Sequence, residues 1–364
     1  DTNYPWNGDV KIKVDNNKAG KFGMKIRIPG WVKGQPVPSS LYSYTDASRP
    51  SYKITVNGRS VPASLTEDGY YTIERNWKKG DVVNVHFDMD VRTVRADNKV
   101  EADRGMVSIE RGPLVYCAEW RDNAFDIMSV LLNREPKFSE GKLSYSSFIA
   151  DSLKTKLQLY RDQNITTLAT DAQTLAYDNS GKLTTQNVKL ELIPYFAWCH
   201  RGSGNMKVWL PQDVKATRPS APATLASQAK IVSSTPSSSM RSIADGLVPA
   251  DENDRSIPYF HWWPKQNTTE WITYTFPEAK QIQSTTVYWF DDQPWGGCKI
   301  PDSWTIQYKD ANGNWQNVEN VDSYPIKKGT ACTANFKPVK TSEVKILVKQ
   351  PAKYSCGLFE WSVK

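Results

Sequence analysis

Val10, Ile12 and Val14 alternate with Lys11 and Lys13, and Phe22, Met24, Ile26 and Ile28 repeat that period of two until Pro29, Gly30 and Trp31 interrupt it. Such a period puts successive side chains on opposite faces of an extended chain, so these segments are expected to be half-buried strands. The same signature recurs along most of the sequence. Tyr52, Ile54 and Val56 run into Asn57-Gly58, a pair suited to the positive backbone angles of a type I′ hairpin turn. Val83, Val85 and Phe87 share one face after the polar turn at Lys78, Lys79, Gly80 and Asp81. Gly112-Pro113 separates two short apolar strands, and the segment from Ile193 to Pro211 has the pattern of a strand, a Gly-rich tip and a returning strand. The 22 Pro and 20 Gly punctuate the chain throughout, which favours strands joined by turns over long helices.

The fold class expected is therefore all-β. With 364 residues the chain can bury two or three separate cores. Residues 1–118 read as a first β-sandwich, and 119–217 as a second sandwich unit that includes strand-like alternation at Leu157, Leu159, Leu175, Tyr177, Val188, Leu190 and Leu192. Residues 218–364 read as a third sandwich, entered through a Ser/Thr/Pro/Ala-rich lead-in containing Pro219, Pro222 and Pro236.

Several functional classes recede on composition. The formal charge of +7 comes from 46 basic and 39 acidic residues intermixed along the chain, so no nucleic-acid partner is expected. No 18-residue apolar run is present, so no membrane span is expected, and the first residues carry neither the basic start nor the apolar stretch of a signal peptide and read as internal. The five cysteines, Cys117, Cys199, Cys298, Cys332 and Cys356, are widely spaced, so no zinc site is expected. One disulfide among the last three, or buried free thiols, are both open.

Glycoside cleavage needs two carboxylates at a defined separation. Glu110, Glu119, Asp126 and Glu191 sit beside apolar segments, but acids on solvent faces of sheets are much commoner than catalytic ones, and no catalytic residue is assigned. His86, His200 and His261 lack the Gly-x-Ser-x-Gly or catalytic-cysteine context of a serine or cysteine hydrolase. His261, Trp262, Trp263 and Trp295 lie in Pro/Gly-rich loops, where indole rings either stack on sugars or cap the sandwich. Asp245 and Glu360, with Asp251 and Asp254, supply hard oxygen ligands of the kind calcium takes.

Five motifs occur in order: Thr2 to Gly8 (Thr-Asn-Tyr-Pro-Trp-Asn-Gly), Ile28 to Trp31, Trp77 to Asp81, Arg111 to Tyr116, and Ile193 to Trp198 followed by Arg201-Gly202 and Val208 to Pro211. Together they resemble the bacterial β-L-arabinofuranosidase family of glycoside hydrolases, over about the first 215 residues. The resemblance implies a β-sandwich region that follows an N-terminal (α/α)6 catalytic barrel. It also implies barrel-borne chemistry from a Glu-x-Cys element and a Cys-Cys pair around zinc, neither of which occurs here, so no catalytic residue carries over. Residues from about 225 onward, through Ile243 to Gly246, Trp271 to Phe276 and Gly357 to Trp361, resemble discoidin-like (coagulation factor C-type) carbohydrate-binding modules. That resemblance implies a galactose-binding-like jelly roll and a structural calcium at Asp245 and Glu360.

The expectation is a non-catalytic accessory region of a hydrolase secreted to the periplasm or outer surface of a bacterium, acting on arabinofuranose-containing plant glycans. Its partners would be a plant cell-wall glycan and the missing barrel. Two alternatives are a self-contained all-β glycosidase with a carboxylate pair, and purely architectural modules without a ligand.

Overall fold

The computed structural model describes residues 1–61, 65–144, 164–201, 204–235, 237 and 239–364. Among them the only helical segments are short 3-10 turns, and the rest of the regular structure is strand, as the alternation predicts. The expected strand around Leu157 to Tyr160 lies outside the described residues, as do positions 202 and 203 of the Gly-rich tip. The chain divides into two compact units, Asp1–Leu175 with Thr185–Arg218, and Ala176–Thr184 with Pro219–Lys364.

In the first unit, Val10–Lys13, Val82–Phe87, Tyr52–Val56 and Arg59–Ser60 form one antiparallel sheet in that spatial order, and Lys21–Arg27 pairs with Tyr70–Asn76 in a second. Val83, Val85, Ile54, Val56, Ile28 and Ile73 come from both sheets into one core, closed by Trp31 and Trp77. The Asn57-Gly58 turn has the positive φ values its sequence predicts, 51° and 77°. Gly8 is needed for a different reason: an added Cβ would overlap the carbonyl oxygen of Phe87. The close approach lets Phe87 N donate to Gly8 O at 3.1 Å and brings Asp9 within 2.7 Å of His86.

The second sheet system of this unit runs Val130–Leu132, Asn164–Tyr177, Leu183–Pro194, Leu114–Glu119, Met106–Arg111, Val91–Ala96 and Tyr42–Tyr44. Ile109, Tyr116, Leu168, Leu190 and Leu192 are fully buried against it, and the Tyr116 hydroxyl is satisfied by Thr166 O at 2.9 Å. The boundary expected at 118 falls inside Leu114–Glu119. That strand pairs with Met106–Arg111 on one side and Leu183–Pro194 on the other, so the change of sheet comes earlier, between Val82–Phe87 and Val91–Ala96.

The second unit is built on Thr269–Phe290, which pairs with Cys332–Lys349 and Gly357–Val363; the sheet continues through Ser303–Lys309 to Trp315–Asn317, with Lys230–Ser233 and Phe260–His261 also paired to it. Its core is unusually aromatic. Trp262, Trp289, Trp304 and Trp361 are all at most 2% exposed, and Tyr274 stacks on Trp361 at 4.0 Å between centroids while its hydroxyl donates to Ile243 O and Trp361 O.

Candidate functional site

The loop after Phe290 begins with two acids that hold it in shape. Asp291 is buried and accepts from Gln293 N at 3.0 Å and Ile300 N at 3.1 Å, with Lys328 as its ion partner at 3.0 Å. Asp292 O accepts from Trp295 N and Gly296 N, and its carboxylate accepts from Cys298 N at 2.8 Å. The Gln293 amide closes the loop by donating to Gly296 O at 2.7 Å. With its backbone so fixed, Trp295 stands 90% exposed at the tip.

The two glycines that follow are there for space. A Cβ on Gly296 would overlap the Asp292 carboxylate, and one on Gly297 would come within 2.5 Å of Trp263 Nε1. The Trp263 indole therefore lies against the same loop two residues from Trp295, with 55% of its surface exposed. Trp262 is corrected from a ligand residue to a core residue. It is 0% exposed, packs edge-on against Phe260 at 5.0 Å, and its backbone N–H is tied to Cys356 O. The alternation after the strand Phe260–His261 turns it inward and leaves His261 exposed.

Charged groups gather beside the two exposed indoles. The Arg255 guanidinium lies 5.2 Å from the Tyr259 ring centroid and 4.9 Å from that of Phe290, bonds the Tyr259 hydroxyl, and reaches Asp292 Oδ2 at 3.5 Å. Partial desolvation of its ring holds the His261 imidazole below its usual range, an effect Asp292 opposes and Arg255 reinforces. His261 is thus neutral near pH 7, with one ring nitrogen able to accept and one able to donate. Flat indole faces with an arginine, an imidazole and a carboxylate at their margin form a set suited to stacking a sugar ring and bonding its hydroxyls. Arg255 and Asp292 were not singled out by the sequence reading; the Trp295-Gly296-Gly297 run was the local signal that a loop there is closely packed.

The candidate metal ligands are brought together. Glu360 is buried, and its Oε2 accepts from Gly246 N at 3.1 Å, next to Asp245, whose Oδ1 accepts from Leu247 N. Burial, and then the Asp245 charge, push Glu360 up to about 8. A buried carboxylate whose charge is disfavoured, next to a half-buried Asp245, fits a hard cation in charge and donor type. No group of three or more His, Cys, Asp or Glu among the described residues is placed to hold a metal, so the remaining ligands would be backbone carbonyls and water.

The other nominated acids are engaged elsewhere. Glu110 accepts from the Tyr44 hydroxyl at 2.7 Å, Glu119 grips Arg201 together with Asp122, and Asp126 caps the turn at Met128 N, while only the backbone of Glu191 is bound, by the Asn123 amide. His86 lies between Asp9 and Asp88. All five cysteines are free thiols, and burial pushes Cys298 up to about 12.

Comparison with known proteins agrees with this division. Residues 1–89 match the β-L-arabinofuranosidase GH127 middle domain, 91–211 the glycoside hydrolase family 127 C-terminal domain, and 250–346 the NedA-like, galactose-binding domain. A non-reducing end β-L-arabinofuranosidase of Bifidobacterium longum subsp. longum is 31% identical over 219 residues, 57% of this chain and 29% of that enzyme. A solved GH127 β-arabinofuranosidase is 50% identical, with a TM-score of 0.54 over 61% of this chain and 32% of its own. A GH127 β-L-arabinofuranosidase of Geobacillus stearothermophilus T6 is 31% identical over 58% of this chain and 29% of its own, with a TM-score of 0.45. The chain thus spans about a third of the length of these relatives, and none of its three matches is to a catalytic barrel. Through residues 1–211 the chain belongs to glycoside hydrolase family 127, of which it carries the middle and C-terminal domains, followed by a NedA-like galactose-binding domain.

Proposed function

We propose that this chain is the non-catalytic accessory region of a secreted bacterial hydrolase of arabinofuranose-containing plant glycans, and that its C-terminal unit binds glycan at Trp263, Trp295, His261, Arg255 and Asp292. The observation that carries the reading is Trp295: an indole 90% exposed, at the tip of a loop whose backbone is braced by at least seven hydrogen bonds and ion pairs, presents a flat face of the kind that stacks on sugar rings. A purely architectural unit would have no need to present that ring at the tip of so fixed a backbone. A calcium ion at Asp245 and Glu360 would serve structure, neutralising the buried Glu360 and its neighbour.

The test is affinity electrophoresis and glycan-array binding of the full chain with arabinan, pectic and galactose-containing polymers. Retardation by at least one polymer, reduced at least about ten-fold by Trp295→Ala or Trp263→Ala, is expected. Unretarded migration in every polymer would leave the architectural reading standing. The same preparation should release no product from aryl arabinofuranosides; turnover would favour a self-contained glycosidase.

A further inference from the structure

A pocket of about 270 Å³ in the first unit, lined by Arg95, Gly105, Met106, Arg134, Gln212 and Asp213, takes no part in the site above. Three chain segments meet there and are tied together. Gly105 O accepts from both Gln212 N at 2.8 Å and Asp213 N at 3.2 Å, and Gly105, whose φ of 73° strains any side chain, sits so close that an added Cβ would be 3.0 Å from that of Asp213. The Gln212 amide nitrogen donates to Asn133 O at 2.8 Å and Arg134 O at 3.0 Å, which fixes the third segment and leaves the amide oxygen as an acceptor. The frame is therefore preformed.

Two exposed guanidiniums, of Arg95 and Arg134, line this frame, and among the described residues neither has a hydrogen-bond or ion-pair partner. The remaining charged group is Asp213, one of whose oxygens accepts from Lys215 N at 3.0 Å. Two forked donors match a planar carboxylate. Asp213 and the Gln212 oxygen are acceptors for hydroxyls, and the Asp213 charge opposes a phosphate dianion more strongly than a singly charged carboxylate. A sugar acid supplies both features in one ring.

We propose that this pocket binds a uronic acid residue, its carboxylate held by Arg95 and Arg134 and its ring hydroxyls by Asp213 and Gln212. The inference stands on unit one alone and does not depend on glycan binding at Trp295.

The full chain would be titrated by ligand-observed NMR and calorimetry with galacturonate, its methyl ester, galactose and inorganic phosphate. Saturable millimolar binding of galacturonate is expected, at least about ten-fold tighter than of the ester or galactose. Arg134→Ala and Arg95→Ala should each abolish it, Arg95→Lys should weaken it by losing the fork, and Trp295→Ala should leave it unchanged, with melting curves showing that each variant is folded. Phosphate binding as tightly as galacturonate would reassign the pocket to free phosphate. Equal affinity for the methyl ester, indifference to either arginine, or no saturation would overturn the proposal.

Discussion

Trp262 and Trp263 are neighbours with opposite fates, and the difference decides what each substitution should do. Trp262 fills the aromatic core, so Trp262→Ala should cost roughly 3–5 kcal/mol through lost burial and the cavity left behind. Its indole N–H, however, is buried without a hydrogen-bond partner, which carries a desolvation cost of about 1–3 kcal/mol. Trp262→Phe should consequently lie much closer to wild type than Trp262→Ala in urea unfolding. Trp295 packs on almost nothing, so Trp295→Ala should shift stability by no more than about 0.5 kcal/mol while removing polymer retardation. A wild-type urea midpoint for Trp262→Ala would contradict its core placement.

At the scale of the strand and turn, local chemistry was legible and distant pairing was not. Asn57-Gly58 forms the hairpin its two residues demand, and nothing lies within 4 Å of where a Cβ on Gly58 would be. Gly58→Ala should therefore cost only the backbone strain of a positive φ, about 1 kcal/mol, measurable as a shift of the urea midpoint at unchanged slope. The alternating faces of Val82–Phe87 were readable for the same local reason. The partner of Leu114–Glu119 was not: Gly112-Pro113 announces a hairpin with the preceding strand, but Tyr116 also pairs with Pro194, a contact no neighbouring residue encodes. The site shows the same split. Sequence alone does not give the phase of the alternation through Phe260 to Trp263, and folding of distant segments brings Arg255 to Asp292 and Arg95 and Arg134 to one pocket. The paired glycines after Trp295 were visible because close backbone approach leaves its mark in sequence.

At the scale of the molecule, the two units have separate cores, and a buried carboxylate in the second couples that unit's stability to pH. Glu360 titrates near 4.5 in an unfolded chain and near 8 when folded. Between those values the folded state holds a proton the unfolded state has released, so stability must fall as pH rises from about 4.5 to 8 and level off above, by up to roughly 4–5 kcal/mol. This is opposite in sign to the usual ion-paired acid. Calcium binding the ionised carboxylates would oppose the trend, recovering about 2.7 kcal/mol at a hundred-fold excess over its dissociation constant and releasing a proton. Calorimetry of the full chain can follow the transition that Trp262→Ala displaces. In EDTA its midpoint should drop between pH 5 and 8; calcium should raise it, most at the higher pH. Glu360→Gln should flatten the pH dependence and abolish the calcium response together. A midpoint that climbs with pH in EDTA would mean Glu360 is ionised in the folded protein without help. A calcium response surviving Glu360→Gln would place the ion elsewhere.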